Sequence, residues 1–310
     1  MKVLSLFDGI SCGRLALERA GLSVEKYDAF ETDKYAVSIS KNNFPDIIQH
    51  GDVFNGDFTQ FKGYDLLIGG SPCTYWSLAK KGREINPDGE GFRLFMQYVR
   101  ALEESYCKYF LYENNQSIHK NIKDAISEKL GIKPIMINSA LVSAQQRKRC
   151  YWTNIPNVTQ PDDKNIMLKN ILESGISWQD KSYCMTASYD SAVIKNTLER
   201  KQRTMVAVPI RIGEYGKGGQ GQRIYSVHGK SVTLSANGGG QGAKTGLYKI
   251  DLPDGDYIIR KLTPVEAERL QTLPDNYTAG ISNTQRYKCI GNGWTVDVIA
   301  HILGGFKNVE

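Results

Sequence analysis

The chain has 310 residues, 41% of them hydrophobic and 23% charged, which is the balance of an ordinary globular protein with room for a large core. It contains no apolar run long enough to span a bilayer and no recognisable secretory leader, so we expect a cytoplasmic protein that does not engage a membrane. Its six cysteines include no Cys-x-x-Cys pair, and we expect neither a bound metal nor a disulfide framework. The formal net charge of +6 permits a polyanionic partner without requiring one.

Short apolar runs alternate with helical patterns through the first half of the chain. The apolar runs predict strands over 3–7, 27–30, 47–50, 65–68, 109–112 and 135–137. The helical patterns predict helices over 13–20, 34–43, 92–104 and 118–130. Strands that alternate with helices in this way favour a parallel, doubly wound α/β sheet with right-handed crossovers. We assign this sheet to a first domain of residues 1–155.

The character of the sequence changes near Ile155-Pro156. Glycine tracts over 213–221 and 238–246 enclose short β-like pieces at 223–226 and 231–234. We therefore expect a smaller, loop-rich, mainly β second domain over 156–259.

Helical signal returns after the glycine-rich region. Thr263-Pro264-Val265-Glu266 predicts a helix N-terminus with proline in the first turn, and a last helix is predicted over 296–303. The segment 260–310 is expected to return to the first domain and complete it.

Acidic residues and glycines mark the ends of the first predicted strands. The turn over 7–13 resembles a nucleotide-binding turn, although it lacks the Gly-x-Gly-x-x-Gly spacing. Glu31 ends the second strand and Asp52 follows the third. Since ligands bind outside the carboxyl ends of parallel strands, these positions predict an adenosine pocket in which a carboxylate accepts from ribose hydroxyls.

Reactive side chains follow at the next strand ends. The run 65–73 predicts a buried strand that ends in two glycines and delivers the Cys73 thiol beyond the sheet, and Glu113 ends a neighbouring strand. The basic triplet Arg147-Lys148-Arg149 enters a later strand, so a thiol, an acid and an arginine could converge on one ligand. The alternative is that Cys73 is a small buried hydrophobe and Glu113 a helix cap. A thiol hydrolase is disfavoured, because no histidine base occupies a comparable strand end.

Several short segments stand in the order and spacing of the DNA (cytosine-5) methyltransferases, which the chain resembles over nearly its whole length. They are Phe7-Asp8-Gly9, Glu31-Thr32-Asp33, Gly51-Asp52, Ser71-Pro72-Cys73, Glu113-Asn114, Gln145-Gln146-Arg147-Lys148-Arg149, Arg260-Lys261-Leu262-Thr263-Pro264 and Gly291-Asn292. The glycine-rich middle is similar to the target-recognition domain of the HhaI branch. The first turn, Ser143-Ala144 and Trp294 are more similar to the mammalian de novo enzymes and related phage enzymes.

Three departures from the bacterial pattern leave the reacting groups in place. Ser11-Cys12 stands where bacterial members usually have Gly-Gly, Thr74 follows the Pro-Cys where Gln is usual, and Asn115 follows Glu-Asn where Val is usual. These departures concern details of the pocket and the rate.

The resemblance implies a Rossmann-like, S-adenosylmethionine-dependent methyltransferase sheet with a smaller target-recognition domain. It implies sequence-specific methyl transfer to C5 of a cytosine flipped out of double-stranded DNA, because the reacting atom cannot be reached inside a duplex. Cys73 would add to C6 and Glu113 would hold and protonate N3. Arg147 would bind O2, with Arg149 supporting the loop.

The same resemblance implies the binding residues. The S-adenosylmethionine pocket would comprise Phe7, Asp8, Gly9, Ile10, Ser11, Cys12, Glu31, Thr32, Asp52, Val53, Ser71, Leu94, Asn292 and Trp294. DNA contacts would come from Ser77 on the loop after Cys73 and, in the second domain, from Gln220, Arg223 and Thr233.

Other functions compete with this one. A tRNA cytosine-5 methyltransferase and a catalytically silent DNA-binding homologue share the fold, and the fold alone would also suit a nicotinamide oxidoreductase. The glycine-rich recognition segment argues against tRNA, the retained Cys73 and Glu113 argue against a silent protein, and the missing glycine fingerprint argues against the oxidoreductase. We expect a monomer of bacterial or phage origin, with the existence of a separately acting restriction endonuclease left open.

Overall fold

A mixed seven-stranded sheet forms the body of the protein. The computed structural model describes residues 1–77, 80–214, 223–225 and 256–308. Among these, the strands lie in the order β3-β2-β1-β4-β5-β7-β6. Their bounds are β1 Lys2–Leu6, β2 Lys26–Phe30, β3 Ile48–Gln49, β4 Leu66–Gly69, β5 Tyr109–Asn115, β6 Ile135–Asn138 and β7 Lys148–Thr153.

The sheet is parallel from β3 to β5, as predicted, but the prediction of a wholly parallel sheet is wrong at one edge. β7 pairs antiparallel with both β5 and β6. The connection from β6 to β7 carries only a short 3-10 turn, Ser139–Leu141, and no crossover helix. Without a crossover the chain can only reverse direction between neighbouring strands. The predicted end of the fifth strand is also wrong, because β5 continues past Glu113 to Asn115.

Helices cover both faces of the sheet. They are α1 Cys12–Arg19, α2 Lys34–Asn43, α3 Glu90–Ser105 and α4 Lys120–Leu130. Alternate residues of β1 divide between two cores: Val3 packs with α1 and α2, whereas Leu4 and Leu6 pack with α3 and α4. None of the helices in the described part of the chain combines the length and apolar character that crossing a membrane requires.

A smaller antiparallel sheet follows in the second half of the chain. A short helix, α5 Ile194–Leu198, precedes it, and its strands are β8 Met205–Glu214, β9 Arg223–Tyr225 and β10 Asp256–Lys261, in the order β10-β8-β9. The predicted β piece at 223–226 is thus confirmed as β9, whereas the piece predicted at 231–234 lies outside the described residues. β8 had no counterpart in the prediction.

The chain then returns to the first sheet through α6 Pro264–Leu270, α7 Asn283–Asn292 and α8 Val296–Leu303. The predicted N-terminus of α6 is confirmed, since Thr263 and Glu266 form a reciprocal capping box. The predicted last helix is confirmed with its bounds, and α8 packs on α1, where Arg19 pairs with Asp297 at 2.5 Å. This return brings α7 and the residues after it to the carboxyl ends of the strands.

Candidate active site

The turn after β1 has an unusual backbone. Phe7, Gly9 and Ser11 all have φ near +60°, a left-handed conformation that is rare for a residue as bulky as phenylalanine. The carboxylate of Asp8 fixes this turn, because it accepts from Ser5 Oγ, Ser11 Oγ and Tyr27 OH at 2.5–2.7 Å. Burial raises the pKa of Asp8, and the three hydroxyl donors oppose that rise. Asp8 therefore fixes the shape of the turn at the strand end.

Glu31 lies beside this turn at the end of β2. Its carboxylate accepts from the backbone N–H groups of Gly9, Thr32 and Asp33 at 2.7–2.9 Å. Burial raises the pKa of Glu31, and these three amides oppose the rise by favouring the carboxylate. Oε1 of Glu31 accepts from the amides of Thr32 and Asp33, and Oε2 accepts from the amide of Gly9. Oε2 therefore keeps acceptor capacity for a further donor.

The other residues predicted for the adenosine pocket have different exposures. Asp52 follows β3 and caps a 3-10 turn through Phe54 N, and the Val53 side chain in that turn is buried. Phe7, Leu94 and Trp294 are half-buried, whereas Thr32 and Asn292 are exposed. The side chains of Ile10, Ser11 and Cys12 are buried, so this stretch can meet a ligand only through its backbone. Burial also raises the pKa of the Cys12 thiol to about 12.

Cys73 is exposed, which contradicts the alternative of a buried hydrophobe. It begins a 3-10 turn, Cys73–Tyr75, directly beyond β4. The two glycines before it have no room for a side chain: a Cβ on Gly69 would lie 2.7 Å from Leu6 O, and one on Gly70 would lie 2.9 Å from Glu113 O. Ser71 is buried with its hydroxyl 2.6 Å from Tyr112 OH. This packing holds the thiol-bearing turn against the strand that carries Glu113.

Glu113 is the centre of a polar cluster on β5. Its carboxylate contacts Arg149 Nε at 3.0 Å through one oxygen and accepts from Trp294 Nε1 at 2.9 Å through the other. Burial acts to lower the pKa of Arg149, but the charges of Cys184, Glu113 and Cys73 outweigh it and raise that pKa. The structure thus places the Glu113 carboxylate, the Arg149 guanidinium and the Cys73 thiol close enough to interact electrostatically.

Arg147 occupies a different environment from the one predicted for it. It is 4% exposed and donates to the backbone carbonyls of Met185, Gly291 and Gly293 at 2.8–3.3 Å. These contacts tie β7 to α7 and to the second half of the chain. The guanidinium that faces Glu113 is that of Arg149, two residues further along the chain.

Cys184 is a site residue that the sequence analysis missed. Its sulfur accepts from Arg147 Nη1 at 3.4 Å and from Arg149 Nη2 at 3.8 Å. Burial acts to raise the pKa of this thiol, but the two guanidinium charges lower it below its ordinary value. No local motif surrounds Cys184, and only the tertiary fold brings it to the arginines.

The residues predicted to contact DNA are only partly within the described chain. Gln220 and Thr233 lie outside it, and Arg223 lies on β9 with only its backbone described. Ser77 is half-buried and its N–H donates to Cys73 O at 2.9 Å. Beside Arg149, a groove opens that is lined by Asn115, Gln116, Ser117, Lys148 and Arg149.

Solved structures identify the class to which this fold belongs. The Entamoeba histolytica methyltransferase EhMeth matches with a TM-score of 0.70 at 17% identity, over 100% of this chain and 99% of its own. The Schizosaccharomyces pombe Dnmt2 methyltransferase matches with a TM-score of 0.61 at 14% identity, over 100% and 99%. The chain therefore has the Rossmann-like fold of S-adenosylmethionine-dependent methyltransferases.

Sequence comparison makes the assignment more specific. The model of the C-5 cytosine-specific DNA methylase family matches residues 1–308, and the chain belongs to this family. The type II methyltransferase M.HhaI of Haemophilus parahaemolyticus is 30% identical over 97% of this chain and 93% of its own length. The orphan methyltransferase M.SPRI of Bacillus phage SPR is 25% identical over 98% and 96%. Members of the family transfer a methyl group from S-adenosylmethionine to C5 of cytosine in DNA.

Proposed function

We propose that this enzyme methylates C5 of a cytosine that is flipped out of a specific sequence in duplex DNA, through a covalent bond between Cys73 and C6 of the base. The observation that carries the proposal is the exposed Cys73 turn beside the Glu113–Arg149 ion pair. Cytosine C5 is a poor nucleophile, so the ring must gain electron density before it can take a methyl group. A thiolate that adds to C6 supplies this density.

Each site residue has a separate role in this addition. The Cys73 thiolate forms a bond to C6, and Glu113 relays a proton from solvent to N3 so that charge does not accumulate on the ring. We assign the contact to O2 to Arg149 instead of Arg147, because Arg147 is already bonded to three backbone carbonyls. A guanidinium fixed by Glu113 is a preorganised donor for developing charge. C5 would then take the methyl group from S-adenosylmethionine, whose sulfonium would leave as a neutral thioether. Loss of the C5 proton to a base then allows the C6–S bond to break, N3 returns its proton to Glu113, and the thiolate is regenerated.

The strand ends fit S-adenosylmethionine, which when bound supplies an electrophilic methyl group. Glu31 retains acceptor capacity suited to ribose hydroxyls, and Asp52 is placed to accept from an adenine amine. Phe7, Val53 and Leu94 offer apolar surface to the adenine, and the left-handed turn offers its backbone to the methionine moiety. Trp294 would link this pocket to the acid through its bond to Glu113.

The DNA side of the proposal rests on charge and on the relatives. The groove beside Arg149 contains Lys148 and no acidic residue, which suits the sugar-phosphate chain on either side of an extruded base. We assign Gln220, Arg223 and Thr233 to target recognition by their match to the family pattern, with Arg223 reading guanine. M.HhaI and M.SPRI come from a bacterium and a phage, which supports an enzyme that acts in the cytoplasm of a prokaryotic cell, and we propose that it acts as a monomer.

The decisive experiment measures methyl transfer to duplex DNA and locates the methylated cytosine. Purified protein should transfer label from methyl-labelled S-adenosylmethionine to mixed-sequence duplex DNA, and bisulfite sequencing should locate the product at one short motif. Cys73→Ala should lower transfer by at least about 10³-fold, the scale expected when a nucleophile is deleted. Its fold should survive because Cys73 is exposed.

Two results would contradict the proposal. Label incorporated by the Cys73→Ala variant would exclude this nucleophile. Faster incorporation into tRNA than into duplex DNA in parallel reactions would favour the tRNA alternative.

A further inference from the structure

The Glu84 carboxylate links the turn that carries Cys73 to α3. Trp76 follows this turn with its side chain fully buried, and its indole Nε1 donates to Glu84 Oε2 at 2.9 Å. The Glu84 carboxylate also accepts from Gly91 N at 3.2 Å, in the first turn of α3. The Glu84 backbone N–H donates to Tyr75 O at 3.0 Å. Glu84 thus joins the Cys73 turn to a helix that packs on the sheet.

Two glycines make room for this connection. A Cβ on Gly89 would lie 2.3 Å from Glu84 Cδ, and a Cβ on Gly91 would lie 2.6 Å from Trp76 Nε1. Contacts this short cannot exist, so any other residue at either position would displace the carboxylate or the indole. The Glu84 carboxylate and the Trp76 indole therefore fill the space beside Gly89 and Gly91.

The residue before Glu84 secures the other side of the loop. Arg83 Nη1 donates to Ser117 O at 2.7 Å and, more weakly, to Trp76 O at 3.4 Å. Ser117 lies just beyond the end of β5, the strand that carries Glu113. The Arg83 guanidinium therefore links the loop to the chain just beyond β5.

We propose that Glu84 is a positioning residue for the Cys73 thiol, acting through Trp76 to hold the Cys73 turn in reach of the base bound by Glu113 and Arg149. This inference rests on the proposed function. If Glu84 is truncated, two buried N–H groups lose their acceptor and the turn is free to shift. A displacement of about 1 Å at a reacting atom is enough to cost on the order of 10² in rate.

The test compares variants in single-turnover methyl transfer and in adduct formation with duplex DNA containing 5-fluorocytosine. Glu84→Ala should slow both by about 30- to 100-fold. Its affinity for S-adenosylmethionine should stay within about twofold, because the residues that Glu84 bonds to, Tyr75, Trp76 and Gly91, are not among those proposed for that pocket. Glu84→Gln should recover to within about threefold, since one amide oxygen at the place of Oε2 can accept from both N–H groups. Glu90→Gln, a change of the same chemistry in the first turn of α3, should leave the rate unchanged.

Each outcome supports or overturns the proposal. An unchanged rate in Glu84→Ala, or slower transfer with normal adduct formation, would overturn it. If Glu84→Ala does not fold, Trp76→Phe removes the indole donor and keeps an aromatic ring in the core, and a wild-type rate in that variant would equally overturn the proposal. Absence of an adduct with the wild-type protein would instead contradict the proposed function itself.

Discussion

Arg147 and Arg149 are two residues apart and make different contacts. Arg147 bonds to three backbone carbonyls of distant segments, whereas Arg149 pairs with Glu113 at the rim of the groove. We expect Arg147→Ala to destabilise the fold by about 2–4 kcal/mol, because it leaves buried carbonyls without donors. Arg149→Ala should keep most of the stability and lower methyl transfer by about 10²–10³-fold, as expected for loss of a preorganised donor.

Chemical denaturation and single-turnover kinetics on both variants test this division. Arg149→Lys should restore little activity, because an ammonium group does not reproduce the planar guanidinium. The reverse result, an inactive but stable Arg147→Ala and a destabilised but active Arg149→Ala, would restore the assignment suggested by the sequence.

Cys184 makes stability depend on pH in a direction that can be measured. Two guanidinium groups lower its pKa below the ordinary value of 9.0. A lowered pKa stabilises the folded state fully above pH 9.0, and this contribution is lost as pH falls through the folded-state pKa. The free-energy advantage of the wild type over Cys184→Ser should therefore grow as pH rises toward 9.0.

Cys107 provides a control of opposite sign. Burial raises its pKa above 9.0, so the stability it contributes is present below pH 9.0 and lost as pH rises through the folded-state pKa. Urea unfolding of both serine variants between pH 7 and pH 10 measures the two trends. If the two variants followed the same trend with pH, the lowering of the Cys184 pKa by the two arginines would be contradicted.

At the scale of elements, the sequence predicts what local chemistry decides. α2 and α8 have the predicted bounds, 34–43 and 296–303, because apolar periodicity defines them. Cys73, Glu31 and Glu113 were found because each lies at or near the end of a buried strand, where a polar residue interrupts an apolar run.

Contacts between elements distant in sequence could not be predicted in this way. Trp294 reaches Glu113 across 181 residues, and Cys184 reaches Arg147 across 37. The sequence around Trp294 and around Cys184 gives no indication of these partners. β8 was missed for a local reason: proline and glycine interrupt its pattern at Pro209 and Gly213, and neither residue is typical of a central strand such as β8.

At the scale of the whole molecule, α8 shares one hydrophobic core with the first sheet and α1. α8 buries Val296, Val298, Ile299, Ile302 and Leu303, and it packs against α1, which follows the turn of the proposed cofactor site. This arrangement supports the prediction that residues 260–310 belong with residues 1–155, which stays a prediction. We expect the two segments to unfold together, as one hydrophobic core.

Ile299→Ala tests this unity, because Ile299 is fully buried at the other end of the sequence from β1. Removing its side chain should cost about 2–5 kcal/mol, the sum of lost transfer energy and the cavity left behind. Since the helix and the sheet share a core, circular dichroism and S-adenosylmethionine binding should be lost in the same transition. His301→Ala, on the same helix with one bond to Thr159 O, should cost less than about 1.5 kcal/mol. If α8 melted first while the remaining protein still bound S-adenosylmethionine, residues 260–310 would be an appendage and not part of the catalytic domain.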